Sequence, residues 1–234
     1  MKEVSFLRHS GWFGPEDAQD TTLNIIGVGA TGSHIGLYAA KMGFHNFRVW
    51  DLDVVENHNL PNQIYESQDI GARKVDAFQR VLQSFNPHIQ VEKHPYFFKA
   101  EEHRDLLDGP LVLTVDTMSA RKDIFEAFKY NWRVKKVFET RLGFDYGELN
   151  VIDCFNANQL NEWESTLLSD SDIPEAPCNM RIITTLVCMV SAYTAHKICD
   201  LVSSNRREED FSFEKKTIFN YTQQNNIKTY SIAQ

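Results

Sequence analysis

The residues Gly27-Val28-Gly29-Ala30-Thr31-Gly32-Ser33 have the spacing G-x-G-x-x-G. A short apolar run, Leu23-Asn24-Ile25-Ile26, leads into them, and Ile35, Tyr38, Ala39 and Met42 follow at helical spacing. Glycines in such a setting allow a tight turn and a close backbone approach to an anion. The helix start adds unpaired N–H groups and partial positive charge. Gly27, Gly29, Ala30, Gly32 and Ser33 thus read as a phosphate cradle, with Ser33 as the helix N-cap. Asp51 comes 24 residues after Gly27, at the end of the strand-like run Phe47-Arg48-Val49-Trp50. A carboxylate there can accept ribose hydroxyls. A glycine turn that only packs helix against strand is the plainer alternative, and the order strand, turn, helix, strand, acid speaks against it. These residues imply a nucleotide without choosing it: NAD, FAD, S-adenosylmethionine and ATP all remain open.

The residues from Asp51 onward make the choice. Asp51-Leu52-Asp53-Val54-Val55-Glu56-Asn57-His58-Asn59-Leu60-Pro61-Asn62-Gln63 leads into Asp69-Ile70-Gly71-Ala72-Arg73-Lys74. Further on come Asn86-Pro87-His88-Ile89-Gln90-Val91, then Asp116 with Arg121 five residues later. This pattern resembles the ThiF/MoeB family, which includes the adenylation domains of ubiquitin-activating enzymes. Family members run Asp-x-Asp-x-Val, then Asn-Leu-x-Arg-Gln, then Gly-x-x-Lys. The resemblance is dense up to residue 121 and looser to residue 202.

The resemblance implies ATP- and Mg2+-dependent adenylation of a carboxylate. The acceptor it implies is the C-terminus of a ubiquitin-like or sulfur-carrier-like protein, or of a peptide. It places Asp51, Asp53, Asn59, Asn62, Gln63 and Lys74 around the nucleotide, and Asp116 on the metal. The residue types suit these roles. Amides donate to phosphates, lysine supplies a point charge, and Mg2+ takes one or two carboxylates plus phosphate oxygens. Asn62 departs from the pattern, standing where the family has arginine, and a neutral amide does not replace a guanidinium. Either Arg8, Arg73 or Arg121 substitutes, or the reaction is slow or specialised, or the protein is a nucleotide-binding pseudoenzyme or interaction module. Family members also carry an N-terminal arginine that reaches over the ATP of the partner subunit in a homodimer. Arg8, in Phe6-Leu7-Arg8-His9, matches it, with a plain surface arginine as the alternative. A dinucleotide oxidoreductase, suggested by the glycine loop alone, would leave Asn59, Gln63, Lys74 and Asp116 as coincidences.

Positioning these side chains takes a regular scaffold. Strands are expected at residues 23–28, 47–50, 89–92, 111–115 and 137–140, with an antiparallel partner at 148–155 and closing strands at 217–221 and 227–232. Helices are expected from Ser33 to Gly43 and at 72–85, 120–132 and 181–203, with loops at 54–70 and 156–180 and a charged turn at 206–210. The fold class is α/β: Rossmann-like, a mostly parallel sheet with helices on both faces and a C-terminal antiparallel extension. The expectation is one domain over residues 1–234. Its nucleotide-binding half is 1–135, and its acceptor-binding and dimerisation half is 136–234. Ligands of such sheets gather at the carboxyl ends of the strands, where Gly27, Asp51 and Asp116 fall.

Composition narrows the partners. The 234 residues carry a net charge of −8, which argues against nucleic acid. Cys154, Cys178, Cys188 and Cys199 form no Cys-x-x-Cys pair, so no structural zinc is expected. Cys154, Cys188 and Cys199 read as core. Cys178, in Pro174-Glu175-Ala176-Pro177-Cys178-Asn179, sits where some family members carry a cysteine in the loop before the last long helix. It is either a nucleophile or an unreactive loop thiol, and Glu175 beside it opposes thiolate formation. The apolar stretch 182–202 contains His196, Lys197 and Asp200, which disfavours a membrane span. The N-terminus lacks a signal-peptide core, and the expected compartment is cytoplasmic.

Overall fold

A computed structural model describes residues 4–9, 11–143, 146–169, 171, 184–207, 213–221 and 227–232. The chain enters through a single helical turn, α1 (Pro15–Ala18), and runs into β1 (Thr22–Ile26). Then come α2 (Ala30–Met42), β2 (Asn46–Trp50), α3 (Lys74–Phe85) and β3 (Gln90–His94). A short α4 (Ala100–His103) precedes β4 (Leu111–Leu113), α5 (Met118–Phe128), β5 (Lys136–Leu142) and β6 (Tyr146–Asp153). The described chain finishes with α6 (Ala157–Ser165), α7 (Thr184–Arg207), β7 (Lys216–Tyr221) and β8 (Ile227–Ile232).

Among the described residues, eight strands form one sheet in the order β3-β2-β1-β4-β5-β6-β7-β8. The first five are parallel, and β5–β6, β6–β7 and β7–β8 are antiparallel. The change of direction has a local cause. Only residues 143–145 separate β5 from β6, too few for a crossover and enough for a hairpin. The strand order reverses beside β1, leaving a crevice beyond the carboxyl ends of β1, β2 and β4.

Alternate residues of each strand bury on opposite faces. Leu23, Ile25, Phe47, Val49, Val112 and Phe138 pack on one face against α2, α3 and α7. Ile26, Trp50, Leu111, Leu113, Val137 and Ile152 pack on the other against α5 and α6. Double-sided burial explains why β1 reads as an apolar run and not as an alternation.

Several element boundaries differ from those read in the sequence. α2 begins at Ala30, with Gly29 as N-cap, so Ser33 is not the cap; it lies buried inside the first turn. Gly43 ends that helix at φ +124°. β4 stops at Leu113, three residues before Asp116. α6 occupies part of the expected loop 156–180. It is capped by the Asn156 side chain, which accepts from Gln159 N at 3.2 Å. Arg206 and Arg207 belong to α7 and not to a turn.

Candidate functional site

Gly27 has φ +93°, and a Cβ there would meet the Thr114 carbonyl oxygen at 3.0 Å. A Cβ on Gly32 would run into the Gly27 carbonyl and come within 2.6 Å of Thr114 Oγ1. The turn is thus compressed against the loop after β4. At Gly29 the opposite holds: a Cβ would meet nothing within 4 Å. No side chain caps α2, and the leading N–H groups of a helix have no intrahelical partners.

Asp51 is fastened to the turn. Its Oδ2 accepts from Val28 N at 2.8 Å and its Oδ1 from Asp53 N at 2.9 Å. A carboxylate has lone pairs to spare beyond two such bonds. Burial raises the Asp51 carboxyl above the usual carboxylate range, against the opposing pull of the Lys74 ammonium and the two N–H groups. Lys74 starts α3 and is itself buried; its Nζ donates to Asp53 Oδ2 at 2.7 Å.

Residues 57–65 lie across the glycine turn. Tyr65 Oη donates to Val28 O at 2.6 Å, Ile64 N donates to Ser33 Oγ at 3.4 Å, and Thr184 Oγ1 of α7 donates to Pro61 O at 2.8 Å. Asn59 is buried and accepts from Glu56 N at 2.9 Å, closing a 3-10 turn. The Asn62 Oδ1 and Gln63 Oε1 atoms are buried with no hydrogen-bond partner among the described residues. Buried polar atoms in that condition cost about 1–3 kcal/mol each, and a bound polar ligand is one way to satisfy them.

Asp116 is exposed on the segment between β4 and α5. Thr114 Oγ1 donates to Gly27 O at 2.5 Å, joining that segment to the glycine turn. No group of three or more His, Cys, Asp or Glu side chains forms a metal cage among the described residues. A lone exposed carboxylate is a donor that Mg2+ accepts only where waters and phosphate oxygens complete its shell.

The three candidate arginines separate. Arg121 is buried and ion-paired with Glu139, so it is not available to a phosphate and does not fill the role of a replacement for the family arginine. Arg8 is exposed at the other end of the sheet. Phe6, two residues before it, packs on His45 and Phe85, at the start of β2 and the end of α3. Arg73 N-caps α3 beside Lys74 and reaches Pro95 O at 3.0 Å.

Cys178 lies outside the described residues. Cys154 and Cys199 are buried, and burial pushes the Cys154 thiol up to about 12. Cys188 is only half-buried and contacts Tyr38, so it is not a core residue. Sequence reading missed Thr114, Tyr65 and Glu139. Each acts through a partner distant in the chain, and no local motif marks them.

An open α/β sheet with a glycine turn feeding a helix, and acids just past the strand ends, defines a Rossmann-like protein. The chain belongs to the ThiF family, whose model matches residues 7–233. It is 29% identical over 94 residues to ubiquitin-like modifier-activating enzyme 5 of Caenorhabditis briggsae, covering 40% of this chain and 22% of that protein. It is 31% identical over 104 residues to the sulfur carrier protein adenylyltransferase of Thermus thermophilus, covering 44% and 38%. The chain thus spans well under half the length of these relatives. Among solved structures, PaaA matches with a TM-score of 0.72 at 18% identity, over 94% of this chain and 66% of that one. Escherichia coli MccB with ATP matches with a TM-score of 0.69 at 15% identity, over 94% and 66%. Both share the fold. No helix among the described residues is long and apolar enough to cross a membrane.

Proposed function

We propose that this chain adenylates a carboxylate, using ATP and Mg2+, and that the acceptor is the C-terminus of a ubiquitin-like or sulfur-carrier-like protein or of a peptide. The observation that carries this reading is the start of α2, which has no side-chain cap and is open beside Gly29, with the Asp51 carboxylate held next to it by Val28 N. In the reaction a carboxylate oxygen attacks the α-phosphorus, and the bond to the bridging oxygen breaks. Pyrophosphate leaves with that electron pair. Catalysis is then mostly alignment and neutralisation of phosphate charge. The α2 N–H groups would bind phosphate oxygens, Asp51 would orient the ribose, and Lys74 would exchange Asp53 for a phosphate. Asp116 would hold Mg2+, which supplies charge neutralisation at the phosphates. A homodimer in which Arg8 reaches the partner's nucleotide, and a cytoplasmic location, complete the proposal.

The test is acceptor-dependent exchange of pyrophosphate into ATP, with loss in Asp116→Ala and Lys74→Ala. Tight ATP binding with no exchange against any candidate carboxylate supports the second reading, a nucleotide-binding pseudoenzyme. Two features favour that reading: Asn62 is neutral, and Lys74 is already matched by Asp53. Preference for NAD over ATP would sink the adenylation reading. For Cys178 the check is a thiol-sensitive adduct formed with ATP and acceptor; its persistence in Cys178→Ser removes the assignment.

A further inference from the structure

Glu139 of β5 is fully buried and holds four donors. Its Oε1 accepts from Arg121 and from Arg141 Nε at 2.6 Å, and its Oε2 from Asn150 Nδ2 at 2.7 Å and Trp163 Nε1 at 3.3 Å. A carboxylate bonded in this way is a fixed point of the fold. From it the Arg121 guanidinium reaches two backbone carbonyls with its other terminal nitrogen: Val115 O, and Thr140 O at 3.2 Å. Val115 is the residue before Asp116. One residue further back, Thr114 Oγ1 donates to Gly27 O at 2.5 Å. The backbone leading to Asp116 is therefore tied twice, to the glycine turn through Thr114 and to β5 through Arg121. The tie extends further, since Thr140 Oγ1 lies 3.0 Å from Thr31 Oγ1 in the first turn of α2.

Packing alone does not call for an arginine here. Ile124, Phe125 and Phe128 already anchor α5 in the core. A buried ion pair contributes little net stability compared with apolar side chains of similar volume. The fork contributes direction: one planar group sets the spacing between the β4–α5 segment and β5. Lysine keeps the charge and loses that geometry.

We infer that the Arg121–Glu139 pair is a positioning device that sets the Asp116 carboxylate for a divalent cation on the nucleotide phosphates, without itself touching nucleotide. This rests on the adenylation reading, and the experiment separates the two. Mn2+ binding to the full chain is followed by electron paramagnetic resonance, with and without a non-hydrolysable ATP analogue whose metal-free affinity is measured separately. Wild type should bind Mn2+ tightly only with the analogue, and Asp116→Ala should lose that ion. Arg121→Lys should raise the half-saturating Mn2+ concentration on the order of 10- to 100-fold, with metal-free analogue affinity unchanged. Absence of a tight ion in the wild type removes the cation site, and the inference with it. If Asp116→Ala loses the ion while Arg121→Lys binds like wild type, the inference is overturned and the adenylation reading stands. A fall in metal-free affinity that accounts for the whole Arg121→Lys effect also overturns it. Should Arg121→Lys not fold, the double variant Arg121→Met/Glu139→Gln, which leaves neither charge buried alone, carries the same comparison.

Discussion

Gly29 and Gly32 stand three residues apart and should fail in different ways. A methyl group at Gly32 strikes the Gly27 carbonyl and Thr114 Oγ1, so Gly32→Ala is expected to cost about 1–3 kcal/mol of stability. A methyl at Gly29 meets nothing in this chain. Gly29→Ala is therefore expected to hold a melting temperature well above that of Gly32→Ala while ATP affinity drops, which thermal unfolding and calorimetry resolve. Asp51 makes a second case. Only its ionised form accepts two backbone N–H bonds and ribose hydroxyls together, and burial has raised its pKa in the fold. Falling pH therefore protonates it sooner than an ordinary aspartate, and ATP affinity should decline at a higher pH than an unperturbed carboxylate gives. Asp51→Asn should bind more weakly and lose that part of the pH profile. Lys74→Ala should lower exchange by about 10²-fold or more, the scale for removing one group that stabilises developing charge.

At the scale of elements, α6 shows how a polar helix escapes a reading based on periodicity. Residues 157–165 contain few apolar positions, yet Asn156 caps the helix, and Leu160 and Trp163 bury three residues apart. Trp163 packs its ring on Phe125 and Phe128 of α5, with centroids 5.6 Å away in each case. Truncation by Trp163→Ala should cost about 3–5 kcal/mol, whereas Asn156→Ala should cost about 1 kcal/mol. Urea midpoints at equal slope check this ranking. The strap 57–65 carries a complementary lesson. Its composition reads as a polar loop, and apart from the 3-10 turn at Asn57–Asn59 it is one. Its position over the glycine turn is fixed by three bonds, from Tyr65, Ile64 and Thr184, to partners up to 123 residues away.

At the scale of the whole molecule, α7 joins the two ends of the chain. It packs along α2, and Ser191 Oγ donates to Thr31 O at 3.2 Å beside the glycine turn. Leu186 and Val190 meet Phe219 of β7. The N-terminal segment instead lies at the far end of the sheet, so Arg8 is remote from the glycine turn of its own chain. In the proposed homodimer it would act on the partner's nucleotide. If it serves the partner's site, Arg8→Ala and Lys74→Ala protomers should each lack exchange activity and recover part of it when mixed and allowed to trade subunits. A mixture as inactive as its parts would remove Arg8 from the site.

The local features were legible because their causes are local. A buried parallel strand is an apolar run, a glycine turn needs residues without a Cβ, and a helix has its own period. The order of strand, turn, helix, strand and acid therefore stands in the residues from Leu23 to Asp51. Antiparallel β6 was legible for the same reason, through its alternation. Tertiary structure alone decided which neighbours these residues meet. It made Gly29 and not Ser33 the cap, matched Lys74 with Asp53, and buried Arg121 against Glu139, 18 residues away. The reason is physical. Helix period and turn geometry depend on neighbours in sequence. The partner of a buried charge depends on which strands lie side by side, and only the assembled sheet fixes that.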